Sequence, residues 1–165
     1  MGNGNSVITC NAVISEMRAH PSDAKVQLSG CAAIADLADK SNNQVTITAA
    51  GGIDAVISAM GGHPFDARVQ RYGCLAFRNL ADNSNNQVTI AAAGGIDAVV
   101  SAMRAHPSDA GVQEEGCLAL WNLADKNMNN KVIIADAGCS LEAVATFIED
   151  SRQNTSTAVV KRGRR

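Results

Sequence analysis

From Gly95 to Ala105 the chain reads GIDAVVSAMRA, and its apolar residues Ile96, Val99, Val100 and Met103 fall at the i, i+3, i+4, i+7 spacing of one helix face. The preceding stretch, NNQVTIAAAG at 85–94, opens on Asn85, a residue type that caps helix N-termini. It closes at Gly94-Gly95, which can adopt the positive φ of a helix C-terminus. After the middle segment, Pro107 sits where a first helical turn tolerates proline, and Asp109 in that turn suits the positive end of the helix dipole. The pattern predicts three helices, the last and longest over PSDAGVQEEGCLALWNLAD at 107–125.

The same pattern is written several times. GGIDAVISAM at 51–60 returns as GGIDAVVSAM at 94–103. Met17, Met60 and Met103 are spaced by 43, as are His20-Pro21, His63-Pro64 and His106-Pro107, and Gly30-Cys31, Gly73-Cys74 and Gly116-Cys117. The asparagine pairs 42–43, 85–86 and 129–130 keep the step, with one extra residue entering near Met128. Three helices of this length cannot enclose a core alone, whereas stacked copies bury one another's faces. The expectation is an all-α solenoid of about three and a half 43-residue, three-helix units, near 6–41, 42–84, 85–127 and a partial 128–150. A flexible start at 1–5 and a basic tail at 151–165 flank them. The first unit begins at its middle helix, and the fourth has only NNKVIIADAG and SLEAVATFIED clearly written. Val144, Ala145, Phe147 and Ile148 in that last helix lack part of their cover, so weak self-association through uncapped ends is expected.

Composition sharpens this picture. With 3 Phe, 1 Trp and 1 Tyr, the 46% apolar content rests on small residues that let helices approach closely. Gly73 and Gly116 lie inside long helices, where glycine is worse than alanine by about 0.8–1.0 kcal/mol, so a close neighbour is expected at each. Residues 1–150 hold nine bases against sixteen acids, a net −7, while 151–165 hold five bases and no acid. That balance argues against a nucleic-acid partner. No apolar run of 18 residues or secretory signal is present, which points to a soluble, cytoplasmic protein, with the nucleus as the second option. The opening MGNGNS fits the short myristoylation pattern at Gly2, although a plain polar start is the favoured reading, and a membrane partner is not expected. KRGRR fits a solubilising end, an import signal or a docking tail.

A unit with an asparagine-rich start, an Ala-Gly-Gly turn, Ile-x-Ala-Val-Val and then VQEEGCLALWNLA at 112–124 resembles an armadillo repeat. The resemblance covers nearly all of residues 6–150. It implies a right-handed superhelix whose third helices line a concave groove for extended peptides, with no associated chemistry. An asparagine on that helix commonly grips the peptide backbone in the family; the matching positions are Asp36, Asn79 and Asn122. The family's tryptophan position is held by Ala32, Leu75 and Leu118, which departs from an importin-like, lysine-gripping groove, and Trp121 lies three positions further on.

Near-identical units allow an internal comparison. Between 51–81 and 94–124, 22 of 31 positions are identical. The changes gather on the third helix: Arg68 against Gly111, Arg71 against Glu114, Tyr72 against Glu115, Phe77 against Leu120 and Arg78 against Trp121. Free drift of exposed residues explains this as well as contact with a ligand does. Tyr72, Leu75, Asn79 and Asp82 share one helix face, and Glu115, Leu118, Asn122 and Asp125 repeat it. Asp39, Asp82 and Asp125 put a carboxylate at each helix end where the dipole disfavours it. They cap the next turn or, as a column, attract a basic ligand.

Five cysteines and three histidines raise the question of a metal or a nucleophile. Cys74 follows His63 by 11 residues, about 16 Å along one helix, too far for a thiolate–imidazole pair. Equivalent cysteines of neighbouring units should lie about 8–10 Å apart, beyond disulfide or shared-zinc reach. They read as packing residues in a reducing compartment, with no cofactor and no metal. The functional expectation is a non-enzymatic module binding a protein or peptide, basic where it meets the acids, through Asn79, Asn122, Asp36, Tyr72, Arg78, Trp121, Leu75, Leu118, Asp82, Asp125 and Glu115. The alternative is a structural segment of a larger protein, for example beside a kinase domain, with no ligand of its own.

Overall fold

The structure is a computed structural model that describes the backbone of residues 3–162 and the side chains of residues 7–153. The described residues are all-α, in ten helices: α1 Asn3–Ala19, α2 Ala24–Ala38, α3 Ser41–Ala49, α4 Gly52–Gly62, α5 Ala67–Leu80, α6 Ser84–Ala92, α7 Gly95–Ala105, α8 Ala110–Ala124, α9 Met128–Asp136 and α10 Leu141–Arg162. The short helices α3, α6 and α9 pack side by side in one row. The middle helices α1, α4 and α7 form a second row, and α2, α5 and α8 form a third with the most extensive contacts.

Local chemistry sets the boundaries. Gly51 and Gly94 take φ of 82° and 88°, which lets α3 turn into α4 by 75° and α6 into α7 by 73°. The third helices start later than the sequence pattern suggests. Asp109 is not in the first turn of α8 but is its N-cap, and Oδ1 accepts from the Val112 amide at 2.9 Å. Pro107 therefore lies in the turn before the helix. Asn85 likewise lies inside α6, and the cap is Asn83, which accepts from the Asn85 amide at 3.0 Å. The extra residue near Met128 is absorbed at Lys126, a non-glycine residue with φ of 53°.

The close approach expected at Gly73 and Gly116 is present. A Cβ on Gly73 would stand 2.5 Å from Met60 Sδ, and one on Gly116 would stand 2.6 Å from Met103 Cγ. Each middle helix thus presses its methionine onto the glycine of the following third helix. The neighbouring cysteines Cys31, Cys74 and Cys117 are 0–4% exposed in the core. Phe77 and Leu120, read from the sequence as part of a changing surface, are both fully buried. Their exchange is a volume change within the core.

Side-chain amides sew the rows together. Gln70 Nε2 donates to the carbonyls of Met60 at 2.9 Å and His63 at 2.8 Å, satisfying the end of α4, and Gln27 and Gln113 do the same for α1 and α7. Asn86 reaches Leu80 O at the end of α5, while Gln44 bonds Ala38 O and, in the next unit, Asn79 O. The Asn-Asn signature therefore contributes a buried amide to the interior more than a cap to the surface. No buried side-chain polar atom among the described residues lacks a partner.

Both ends depart from the sequence boundaries. The first helix is already formed at Asn3, inside the stretch expected to be flexible, and α10 runs through Asp150 without a break. α10 follows α9 as α7 follows α6, yet it packs chiefly on α8, where the third helix of a fourth unit would lie. Val144 and Ile148 are buried there, so the cover missing from the sequence pattern is partly supplied by this placement. The other cover the sequence offers, a tail folded back through Val159 and Val160, rests on side chains outside the described residues.

Candidate functional site

The third helices are held so that one side of each is committed to packing. Their N-termini are fixed by Asp23, Asp66 and Asp109, their glycines rest on the methionines, and their cysteines point inward. The opposite side carries most of the candidate residues. Asp36, Asp82 and Asp125 are exposed; Tyr72, Leu75 and Leu118 are half-buried; Trp121 keeps 48% of its surface in solvent. Arg71 lies over the Tyr72 ring, its guanidinium carbon 5.9 Å from the centroid.

The junction of α5 and α8 gathers the rest into one network. Arg78 Nη1 meets Glu115 Oε2 at 3.0 Å across the two helices. Asn122 Nδ2 donates to Arg78 O and to Asp82 Oδ1, each at 3.0 Å. Asn79 Nδ2 donates to Ala35 O at 3.0 Å in the same manner. The two asparagines were expected to stand free for a ligand backbone. They are half-buried, and their amides already hold the carbonyls of the preceding third helix. Glu115, expected on the accessible face, is 8% exposed and tied to Arg78. Partial burial pushes the Asp82 carboxyl above the usual carboxylate range; Arg78 opposes this and the like charge of Asp39 adds to it.

A cleft of about 400 Å³ lies where this face meets α10. Leu118, Phe147 and Ile148 give it apolar walls, and Arg78, Glu114, Ser151 and Arg152 line the remainder. Glu114, Phe147 and Arg152 were not among the residues picked from the sequence. The signal was the uncovered Phe147–Ile148 pair, with Ser151 and Arg152 one turn further along the same helix.

Burial sets the state of the cysteine column. Burial pushes the Cys31 thiol up to about 12, the Cys74 thiol higher still and the Cys117 thiol to about 11, so thiolates are suppressed. His63 ends α4 and Cys74 lies in α5, so the two do not share a helix as the sequence spacing suggested. The ring Nε2 of His63 lies 2.9 Å from Pro21 O, and that of His106 lies 2.8 Å from Pro64 O, which makes each a donor between units. Among the described residues no group of three or more His, Cys, Asp or Glu side chains could hold a metal ion. No single described helix is long and apolar enough to cross a membrane. Compared with known protein families, curated protein sequences and solved structures, the chain gives no significant match.

Proposed function

We propose that the stacked helices form an armadillo-type α-solenoid, and that the exposed side of α2, α5 and α8 binds an extended segment of another protein without catalysing a reaction. One observation carries this reading. Between units whose packing residues repeat, Arg71 against Glu114 and Arg78 against Trp121 change the charge and shape of this one side. The preferred ligand carries lysine or arginine opposite Asp36, Asp39, Asp82 and Asp125, and one apolar side chain for the cleft at Leu118, Phe147 and Ile148. Solvent-exposed Trp121 supplies an aromatic contact beside it, the residue type most often dominant in binding interfaces. Five unpaired cysteines, four of them buried, support a reducing compartment, the cytoplasm or the nucleus.

The engagement of Asn79, Asn122, Arg78 and Glu115 within the chain favours a second reading, in which the segment is structural and this side has no ligand. Selection of random peptides on the purified protein separates the two. The binding reading expects enrichment of basic peptides with one apolar anchor. It also expects Trp121→Ala with Leu118→Glu to weaken a selected peptide by at least about tenfold, with helicity and melting temperature retained. Failure to enrich any sequence, or enrichment indifferent to both substitutions, would leave the structural reading.

A further inference from the structure

The three unit junctions differ at one position. The residue after the methionine of each middle helix is Arg18 in the first unit, Gly61 in the second and Arg104 in the third. The two arginines reach the same place in the following unit. Arg18 Nη2 lies 3.5 Å from Gly51 O at the end of α3, and Arg104 Nη2 donates to Ala137 O at 2.6 Å at the end of α9. Each guanidinium covers a glycine with positive φ: a Cβ on Gly51 would run into Arg18, and one on Gly138 would stand 3.0 Å from Arg104 Nη2. A cation placed there meets the carbonyls that end the helix and the negative pole of its dipole.

The middle junction keeps this frame without the arginine. Both arginine bonds span 33 residues, and Gly94 lies 33 residues after Gly61. Gly94 has φ of 88°, and a Cβ added at Gly61 or Gly94 would meet open space. Both glycines line a cleft of about 290 Å³, together with Met60, Gln70, Asp97 and Ser101. The first junction has a cleft of about 230 Å³ with the equivalent Met17, Gln27, Asp54 and Ser58, and there Arg18 forms part of the wall. No cation lines the second cleft. Asp97 opens α7 as Asp54 opens α4 and Glu142 opens α10. A carboxylate is thus kept at all three junctions, and the chain's own arginine accompanies it at two.

We infer that the cleft between α4 and α7 receives an arginine side chain from a partner protein, its guanidinium bonding the last carbonyls of α6 and facing Asp97. The planar fork of donors serves carbonyls and a carboxylate together, which the point charge of a lysine ammonium matches less well. Ile57 and Met60 offer apolar contact to the methylene stem. This cleft shares no residue with the peptide-binding side proposed above and does not rest on that reading. As a free compound, a single side chain of this size binds with a dissociation constant on the order of 1–10 mM. Carried on a longer ligand held elsewhere, it adds to affinity through its raised effective concentration.

Amide NMR titration of the whole chain with N-acetyl-arginine amide tests this, with circular dichroism as the control for folding of each variant. The expected result is saturable shifts at Gly61, Gly94 and Asp97, with N-acetyl-lysine amide at least about threefold weaker. Gly61→Arg should abolish the response at Gly94, because the chain then supplies the guanidinium itself. Arg104→Gly should add a second response, at Gly138. Free arginine, which brings its own carboxylate towards Asp97, should bind no tighter than the blocked amide. Tighter binding of free arginine would assign the cleft to a small guanidino compound and overturn the protein partner. The inference also fails if Gly94 does not respond by about 50 mM, well above the expected constant. It fails equally if Gly61→Arg leaves the shifts intact, if Arg104→Gly adds none, or if they gather instead at Asp36, Asp82 and Asp125.

Discussion

Replacing Gly73 with alanine sets two effects of similar size against each other. A methyl in the middle of α5 should favour the helix by about 0.8–1.0 kcal/mol. That methyl would also stand 2.5 Å from Met60 Sδ and 2.6 Å from Met60 Cγ, and Met60 is 2% exposed, with little room to withdraw. Overpacking of this kind costs about 1–3 kcal/mol, so the net change is a loss of about 0–2 kcal/mol. At roughly 2–4 °C per kcal/mol for a chain of this length, the melting temperature should fall by about 3 °C. Gly61 is the control: it lies in α4 with nothing within 4 Å of its added Cβ, so Gly61→Ala should hold or raise the melting temperature. The assay is a double-mutant cycle with Met60→Ala, which empties the space the methyl would enter. In that background Gly73→Ala should stabilise by about 1 kcal/mol, giving a coupling of about 1–3 kcal/mol between the two sites. If Gly73→Ala instead raises the wild-type melting temperature, or if the two changes simply add, the proposed methionine-on-glycine packing is wrong.

Gln70→Leu should cost about 1–3 kcal/mol in urea unfolding, because the Met60 carbonyl loses the Gln70 donor and the His63 carbonyl keeps only the Asp66 amide; a loss under about 0.5 kcal/mol would refute the amide's role. Asp82→Asn should raise stability at pH 7, since the folded state holds this carboxyl above its unfolded value and so disfavours its ionised form. The advantage over wild type should vanish as pH falls below about 4, where both side chains are neutral, and a less stable variant at pH 7 would contradict the assignment. The same change should weaken a bound basic peptide, so stability and affinity move in opposite directions. Iodoacetamide at mildly alkaline pH should label half-buried Cys139 well before Cys31 or Cys74, and equal labelling rates followed by peptide mapping would show that the cysteine column is not enclosed.

The residues differ in how legible they are. Gly94 and the Gly73–Cys74 step are local: a positive φ or a missing methyl can be argued from the segment that contains it. Asn79 and Asn122 are not, because their partners, the carbonyls of Ala35 and Arg78, lie 44 residues earlier in the chain. A pattern that marks them as exposed polar residues holds within one unit and fails once the units stack. Asn86 was open to the same misreading, since asparagine near a helix start suggests a cap until burial shows that it serves the interior. α10 was illegible for another reason. Its packing on α8 depends on contacts with a helix earlier in the chain, which the segment taken alone does not show.

The inter-unit hydrogen bonds share a property that concerns how the chain responds to force. The longest side-chain bonds among the described residues span 44 positions, and the histidine links from His63 to Pro21 and from His106 to Pro64 span 42. None of these bonds ties the first unit to the last, so in the proposed solenoid tension applied at the two ends meets these interfaces in series. Such a chain yields from a terminus inward, one interface at a time, and recoils by the reverse path because each unit re-forms on a neighbour that is still folded. Mechanically it is a spring of repeated links, whose compliance grows with the number of units and whose weakest joint decides where extension begins.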